Sequence, residues 1–569
     1  MPLDPVLLAV VHNGLRQVAT EMDLVHEKTS FSPVISEGLD RSNGIYHRDT
    51  GEVIAQGEMG LPSFVGVMQF STQCVIERRK DLGPGDIVLL NDPYLGGTHL
   101  MDVKMVTPFY YKGSLWCWLS NTGHWPDTGG IVPGGFTSTA TEIHQEGLRI
   151  PPVKLFRAGV MDDEILQIVL HNIRVPEERI GDIKAQVGAL KVGAQRLTEL
   201  LDRYGADVVD QCIVELKARS RQQMGSHIES VPDGVYESVS YCDSDGVVPE
   251  KLAIRLKMTV RGSEIDFDFS RSSPPCQGPM NCPAALTRSS VYVAIKHIFP
   301  DVPINSGCFA PLHVETPRET FLDAVYPRPC AGAASEVSQR VIEAVFLAMG
   351  QAIPDRMFAA PAGTSGNFSL GGWDPEQRRH YIMYMFSGGG YGGWWAADGL
   401  TNGCSSIGIS KTQPIEILEQ HYPILYEEYA LREGSAGPGQ SRGGFGTNYR
   451  VRLLRGEAKA SFLMDHGIVG PPGILGGGPG GRNELIVHQS GSETRPLHVS
   501  KGEGYVLREG DFIQVRTPGG GGYGDPGKRA EEAIAGDLKR GYLSPQQAAE
   551  EYGVNRHPNG TPLSISGRH

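Results

Sequence analysis

The sequence predicts an α+β chain, β-rich and multi-domain, with a helical middle segment. Three observations carry that reading. Apolar residues recur every three to four positions over residues 4–28 and again from Asp162 to about Ser230, the spacing of an amphipathic helix. Elsewhere short alternating or continuous apolar runs are punctuated by turn residues, the signature of strands. Glycine is used 73 times in 569 residues, roughly double ordinary usage. That excess implies many tight turns, together with backbone approaches that a side chain would block.

In chain order, Leu7, Leu8, Val11, Leu15, Val18, Met22 and Val25 mark the first helix, with Asp4 as N-cap and Pro5 at its first position. Residues 30–150 read as turn-rich and strand-like. Asp49-Thr50-Gly51 turns between Gly44–His47 and Glu52–Gln56, and Ile87–Leu90 has the pattern of a buried strand. Val106 to Leu119, broken at Lys112-Gly113, reads as a β-hairpin. Pro176 divides the helical stretch after Asp162. Strands follow at Val235–Cys242, Leu252–Val260 and Glu264–Phe269, then helices near Ala284–Ile298 and Ser335–Ile353. Residues 357–526 mix glycine loops with strands at His380–Phe386, Asn448–Leu454, Glu484–Val487 and Phe512–Val515. The tail carries two short helices, the second starting at Ser544-Pro545. The segments expected are 1–160 (metal-bearing α+β), 161–230 (helical), 231–415 (central α+β), 416–526 (β-rich, Gly-rich) and 527–569 (helical tail).

A net charge of -13 argues against a nucleic-acid surface. No apolar run approaches the ~20 residues that span a bilayer, and Met1 to Val11 lacks the features of a signal peptide. Nine cysteines with no CxxC pair fit reduced thiols, so the expected location is cytoplasmic and no membrane partner is implied.

The chemistry concentrates in Asn91-Asp92-Pro93-Tyr94 running on to Gly97-Thr98-His99-Leu100-Met101-Asp102, and in Gly123-His124-Trp125-Pro126-Asp127. Two HxxD pairs lie close together, and imidazole with carboxylate is a divalent-metal ligand set. The intervening hairpin returns His124 to the neighbourhood of His99 and Asp102. The bland alternatives are a turn histidine, a capping carboxylate and packing of Trp125-Pro126. Asp127 either orients a ligating imidazole or closes a turn. Glu142, His144 and Glu146 form a titratable cluster. Asp127, His144 and Glu146 are the catalytic candidates, against a solvated loop as the default for the last two.

Other motifs are weaker. Arg340 opens a helix and meets either an anion or a salt-bridge partner. Trp394-Trp395 lines a pocket or packs. Gly476 to Gly481 satisfies GxGxxG by letter but lacks a strand-then-helix context. Gly522 to Arg529 nearly satisfies a phosphate loop but puts Arg529 where a hydroxyl is needed. Gly519–Gly522 forms either an anion nest or, preferably, a tight turn crossing beneath another strand. Self-contained ATP binding is not expected.

These residues resemble the hydantoinase B/oxoprolinase family. The resemblance rests on Ser32-Pro33-Val34-Ile35-Ser36-Glu37-Gly38-Leu39-Asp40, the Asn91 to Asp102 stretch, Glu146 to Leu155, Arg442-Gly443-Gly444, and Thr517 to Pro526. It implies a hydantoinase B-like fold and a division of labour. The implied partner is a hydantoinase A-type subunit that binds ATP-Mg, in a heterotetramer with this chain. This chain would hold one divalent metal, zinc or manganese, and activate the carbonyl of a small cyclic amide: a lactam, hydantoin or oxoproline. The ligands implied are Asp40, His99, Asp102 and His124, with Glu37 as the alternative to Asp40. One departure is Gly123 before His124, where the family often has a second histidine. The resemblance leaves two other readings open, a subunit of an ATP-dependent ketone carboxylase and a non-catalytic scaffold of the ATPase subunit.

Overall fold

The Asp4 carboxylate accepts from the Val6 amide at 2.9 Å and, with Pro5, starts helix α1 (Pro5–Thr29). A short helix α2 (Pro33–Ser36) leads into strands β1 (Arg41–His47) and β2 (Val53–Gln56). Helix α3 (Pro62–Arg78) and strands β3 (Ile87–Leu90), β4 (Asp102–Tyr111), β5 (Ser114–His124), β6 (Val153–Arg157) and β7 (Val160–Met161) complete the first region. The seven strands form one sheet in the order β2-β1-β5-β4-β3-β6-β7. This computed structural model describes residues 3–405 and 410–554. Met1, Pro2 and the part of the expected helical tail beyond residue 554 lie outside the described residues.

Helix α3 lies within the stretch over 30–150 expected to be turn-rich and strand-like, where no helix is read from the sequence. Eleven of its residues are buried, from Ser63 to Val75, so no polar face advertises a helical period. Its β-branched residues Val65, Val67, Thr72 and Val75 read as strand.

Three helices follow: α4 (Asp163–Leu170), α5 (Pro176–Tyr204) and α6 (Ala206–Glu229). Pro176 opens α5, where its missing N–H costs nothing. Helices α1 and α5 pack together against the seven-stranded sheet, burying Leu8, Val11, Leu15, Met22, Ile183 and Leu190 in a shared core.

The next region has strands β8 (Gly234–Cys242), β9 (Leu252–Arg261) and β10 (Glu264–Asp268). Helices α7 (Ala284–Ile298) and α8 (Ser306–Phe309), strand β11 (Leu312–Glu315) and helix α9 (Ser338–Ala352) complete it. The sheet order is β11-β10-β9-β8. A single π turn, Ala333–Val337, precedes α9, a local widening that recurs at functional sites. One apolar core runs from Val34 and Phe64 through Met224 and Val345 to Leu463. It therefore draws on several of the segments delimited from sequence.

The last region holds β12 (Asn367–Asp374), β13 (Arg379–Met385), α10 (Ile415–His421), β14 (Ile424–Leu431), β15 (Thr447–Leu453) and β16 (Glu457–Leu463). Then come β17 (Glu484–Gln489), β18 (Ser492–Thr494), β19 (Lys501–Arg508), β20 (Phe512–Arg516), α11 (Glu531–Lys539) and α12 (Pro545–Tyr552). Two sheets, β13-β12-β16-β19 and β14-β15-β20-β17-β18, share a core that includes Phe368, Tyr449, Phe462 and Ile513. Mixed helix and sheet in several layers is the α+β class expected.

The glycines pack backbone on backbone. A Cβ on Gly390 would lie 1.8 Å from the Gly444 carbonyl oxygen, and one on Gly520 would lie 2.0 Å from that of Tyr391. The amides of Gly519, Gly520, Gly521 and Gly522 donate to the carbonyls of Gly481, Gly444, Ala360 and Gly478 at 2.9–3.1 Å. With those donors used, the run is a crossing of strands and offers no anion nest. The Gly476–Gly481 stretch is tied down in the same way: Gly478 donates to Pro438 and Gly481 to Ser435. Arg529 is held by Asp398 and Asp537. The nine cysteines are buried and form no disulfide. Among the described residues no helix is long and apolar enough to cross a membrane.

Candidate metal centre

The hairpin builds the site. In the β4–β5 ladder Asp102 lies directly opposite His124, and cross-strand partners on one face have neighbouring side chains. Strand β1 runs antiparallel to β5, pairing Arg41 with Gly123. The His124 amide donates to the Asp40 carbonyl at 3.1 Å, which brings the residue before β1 to the same end. His99 arrives on the turn before β4, where the Asp102 amide donates to its carbonyl at 3.3 Å.

The delivery of Asp40 depends on a tight backbone. A Cβ on Gly38 would lie 2.6 Å from the Val34 carbonyl oxygen. Leu39 adopts the left-handed conformation, φ 61°, a strained state for a residue with a Cβ and one that clusters at functional sites.

His99, Asp102 and His124 are all buried, and each offers a ligand atom within 4.8 Å of the others. His124 Nδ1 is 3.3 Å from Asp102 Oδ1 and 3.7 Å from Asp40 Oδ2; His99 Nε2 is 3.6 Å from Asp102 Oδ2. Thr98 donates its hydroxyl to Asp102. Lys104 donates to the Asp102 carbonyl at 3.1 Å. Tyr384 stacks on His124 at 4.6 Å and Phe136 stacks on Tyr384 at 4.8 Å, shielding the imidazole from water. The Tyr384 hydroxyl donates to Asn367 Oδ1 at 2.7 Å.

Burial sets the protonation of this cluster. It pushes His99 down to about 4, with Asp102 opposing. It also pushes Lys104 down to about 8, again against Asp102. Burial works against ionisation of Asp102, but the two imidazoles and Lys104 outweigh it and hold the carboxyl below its ordinary range. Asp40 is raised, by burial first and then by the Asp102 charge.

The donor set fits a divalent cation. Buried polar atoms are nearly always satisfied, yet His99 Nδ1 and His124 Nε2 have no hydrogen-bond partner. The opposite ring nitrogens, His99 Nε2 and His124 Nδ1, are the ones that lie beside the Asp102 and Asp40 carboxylates, an N/O set of the kind zinc and manganese accept. Asp40 lines this cavity with His99, Asp102 and His124. Glu37 does not; it is half-buried at the C-terminal end of α2.

The three catalytic candidates stand elsewhere. Asp127 is buried and accepts from Gly129, Gly134 and the Arg174 amide, with the Arg174 guanidinium at 2.6 Å. It pins a loop and contacts no imidazole in this arrangement of bonds. His144 is exposed, with Nε2 3.0 Å from the Tyr326 hydroxyl. Glu146 is buried and accepts from the Cys330 and Ala331 amides at 2.7 and 2.8 Å; burial pushes it up to about 8. None of the three lines the metal cavity. Asp92 caps the turn at Tyr94, and Arg340 is an ordinary buried ion pair with Glu343 at 2.9 Å. Trp394 and Trp395 meet edge to face. Sequence reasoning missed Tyr384, Phe136, Ser335 and Ser365. Only the HxxD pairs carried a local signal; the others reach the site through tertiary packing.

The sequence profile described as Hydantoinase B/oxoprolinase matches residues 4–526. The chain belongs to the hydantoinase B/oxoprolinase family. Among hydantoinase B-type relatives, caprolactamase subunit beta of Pseudomonas jessenii is 34% identical over 98% of this chain and 97% of its own length. The crystal structure of ATP-dependent caprolactamase from the same organism gives a TM-score of 0.89 at 31% identity, covering 100% of this chain and 99% of that one. Nucleotide-free acetone carboxylase gives 0.91 at 19% identity, covering 98% and 81%; at that identity the likeness is one of fold.

Proposed function

We propose that this chain is the metal-holding, carbonyl-activating subunit of an ATP-dependent cyclic-amide hydrolase. It would act with a hydantoinase A-type partner that binds ATP-Mg, in a heterotetramer. The observation that carries the reading is the buried His99, Asp102 and His124 cluster with Asp40 beside it. The relative's designation as a subunit beta of caprolactamase supports both the partner and the substrate class.

Amide resonance makes ring opening slow without activation of the carbonyl. A bound divalent ion supplies a Lewis acid for the carbonyl oxygen. The chain's own residues do the rest. His99, His124, Asp102 and Asp40 hold the ion. Thr98 fixes the Asp102 carboxylate and so its lone pairs. Tyr384 and Phe136 wall off the imidazoles, keeping the local dielectric low, where charge–dipole interactions are strongest. The consumed amides of Gly519–Gly522 support assigning ATP to the partner.

The test is to purify the chain with its ATP-binding partner and follow ATP-dependent ring opening of ε-caprolactam, hydantoin and 5-oxoproline. Activity on one of them that disappears in His99→Ala, with the complex intact, is the expected result. Activity unchanged in His99→Ala would leave a scaffold role. ATP turnover that requires bicarbonate and a ketone, with no amide opened, would make the chain a carboxylase subunit.

A further inference from the structure

The metal cavity has only about 20 Å³ of free space. A single water needs about 10–15 Å³, so with the side chains as they stand this cavity has room for an ion or a water and none to enclose a second ligand. A far larger cavity lies on the other side of the first turn of α3. Its volume is about 660 Å³, inside the roughly 300–1,000 Å³ of small-molecule sites. The same turn divides the two spaces. Leu61, Ser63 and Phe64 line the metal cavity, while Gly60, Pro62, Val65 and Gly66 line the larger one.

The larger cavity has apolar walls, including Leu15, Ile54, Val293, Val302 and Phe309. The charged groups on its rim are already engaged. Arg16 pairs with Glu58 at 3.1 Å. Lys296 donates to the carbonyls of Phe299, Pro300 and Val302. Asp301 accepts from Gln223 and faces His227, each at 2.9 Å. A charged ligand finds no open counter-charge among these groups.

What remains open is acceptor capacity. His297 Nδ1 lies 2.8 Å from the Val293 carbonyl, so the proton sits on Nδ1 and Nε2 is the ring's acceptor. Burial lowers the pKa of His297 and keeps the ring neutral. Gln56 lines the same cavity and is 6% exposed. Its amide nitrogen donates to Ser42 and its Oε1 is enclosed, so Gln56 contributes wall and His297 Nε2 is the acceptor on which the ligand choice rests.

We propose that this cavity is a second ligand site, separate from the metal centre, that takes a compact neutral cyclic secondary amide by its apolar ring and its N–H. The choice of ligand rests on the cyclic-amide reading above; the site itself does not.

The experiment titrates ε-caprolactam and N-methylcaprolactam onto the full chain, with binding read by ligand-observed NMR. Saturable binding of ε-caprolactam is expected, with the N-methyl compound weaker by about 2–10-fold, the worth of one hydrogen bond. Ile304→Trp, on the exposed rim, fills the cavity and should raise Kd by more than about tenfold. His297→Phe keeps the ring volume, removes the acceptor and should cost about 2–10-fold; it decides the matter if Ile304→Trp does not fold. His99→Ala should leave Kd unchanged. Absence of binding overturns the proposal, as does binding lost in His99→Ala but kept in Ile304→Trp. Equal affinity for the N-methyl compound overturns the role of the donor. Failure of the hydrolase reading looks different: the binding pattern stands while no ring is opened with ATP and the partner.

Discussion

The end of the β4–β5 hairpin that carries the candidate metal centre and the glycine layer around Gly390, Gly444 and Gly520 are both places where distant segments converge. They converge with opposite outcomes. In the glycine layer backbones meet, and the amides of Gly519–Gly522 each find a carbonyl. At the hairpin side chains meet, and His99 Nδ1 and His124 Nε2 find nothing. Crowding alone therefore does not mark a functional site; the hairpin differs in gathering imidazole and carboxylate side chains at one buried point.

That contrast can be broken most severely at Gly390. Gly390→Ala forces a Cβ to 1.8 Å from a backbone oxygen and should cost more than about 4 kcal/mol, read as loss of soluble protein or of the urea-unfolding midpoint. His99→Ala should leave a folded chain but reduce bound metal from about one ion per chain to almost none by elemental analysis. Metal retained in that variant would sink the centre.

The next effect is smaller and more discriminating. Asp40→Asn should weaken metal affinity by about 10–100-fold, whereas Glu37→Gln should leave it unchanged; the reverse order would exchange the two as ligands. The smallest concerns Glu146. Its folded pKa, about 8, exceeds the ordinary 4.5, so between those values the folded state binds more protons than the unfolded one. Stability then falls as pH rises through that window. Glu146→Gln keeps an acceptor for the Cys330 and Ala331 amides and should flatten the fall, gaining about 1 kcal/mol or more at pH 8. Thermal melts of both proteins at pH 5 and pH 8 would show it. Equal slopes would mean that Glu146 is ionised in the folded chain.

The parts of the molecule written in local pattern were legible in the sequence. Asp4-Pro5 and Ser544-Pro545 start helices where expected, and Lys112-Gly113 turns the hairpin that faces Asp102 with His124. Helix α3 was hidden because burial on nearly every side erases amphipathic periodicity. Tyr384 could not be connected to the site, because its strand belongs to another sheet and reaches His124 only through packing. Glu146 illustrates the converse: a titratable group in a suggestive cluster whose hydrogen bonds tie down a loop.

The β4–β5 hairpin carries an arithmetic of odd and even. Ten residues in β4 face eleven in β5, and the surplus residue is absorbed by an irregularity between Phe109 and Tyr110, far from the metal end. Because side chains alternate faces, a one-residue deletion between that irregularity and Asp102 would turn either Asp102 or His124 away from the other. Added length at Lys112-Gly113 would change no parity at all. The hairpin tip is thus the place where sequence can drift, or a tag be inserted, while the geometry at its base stays fixed.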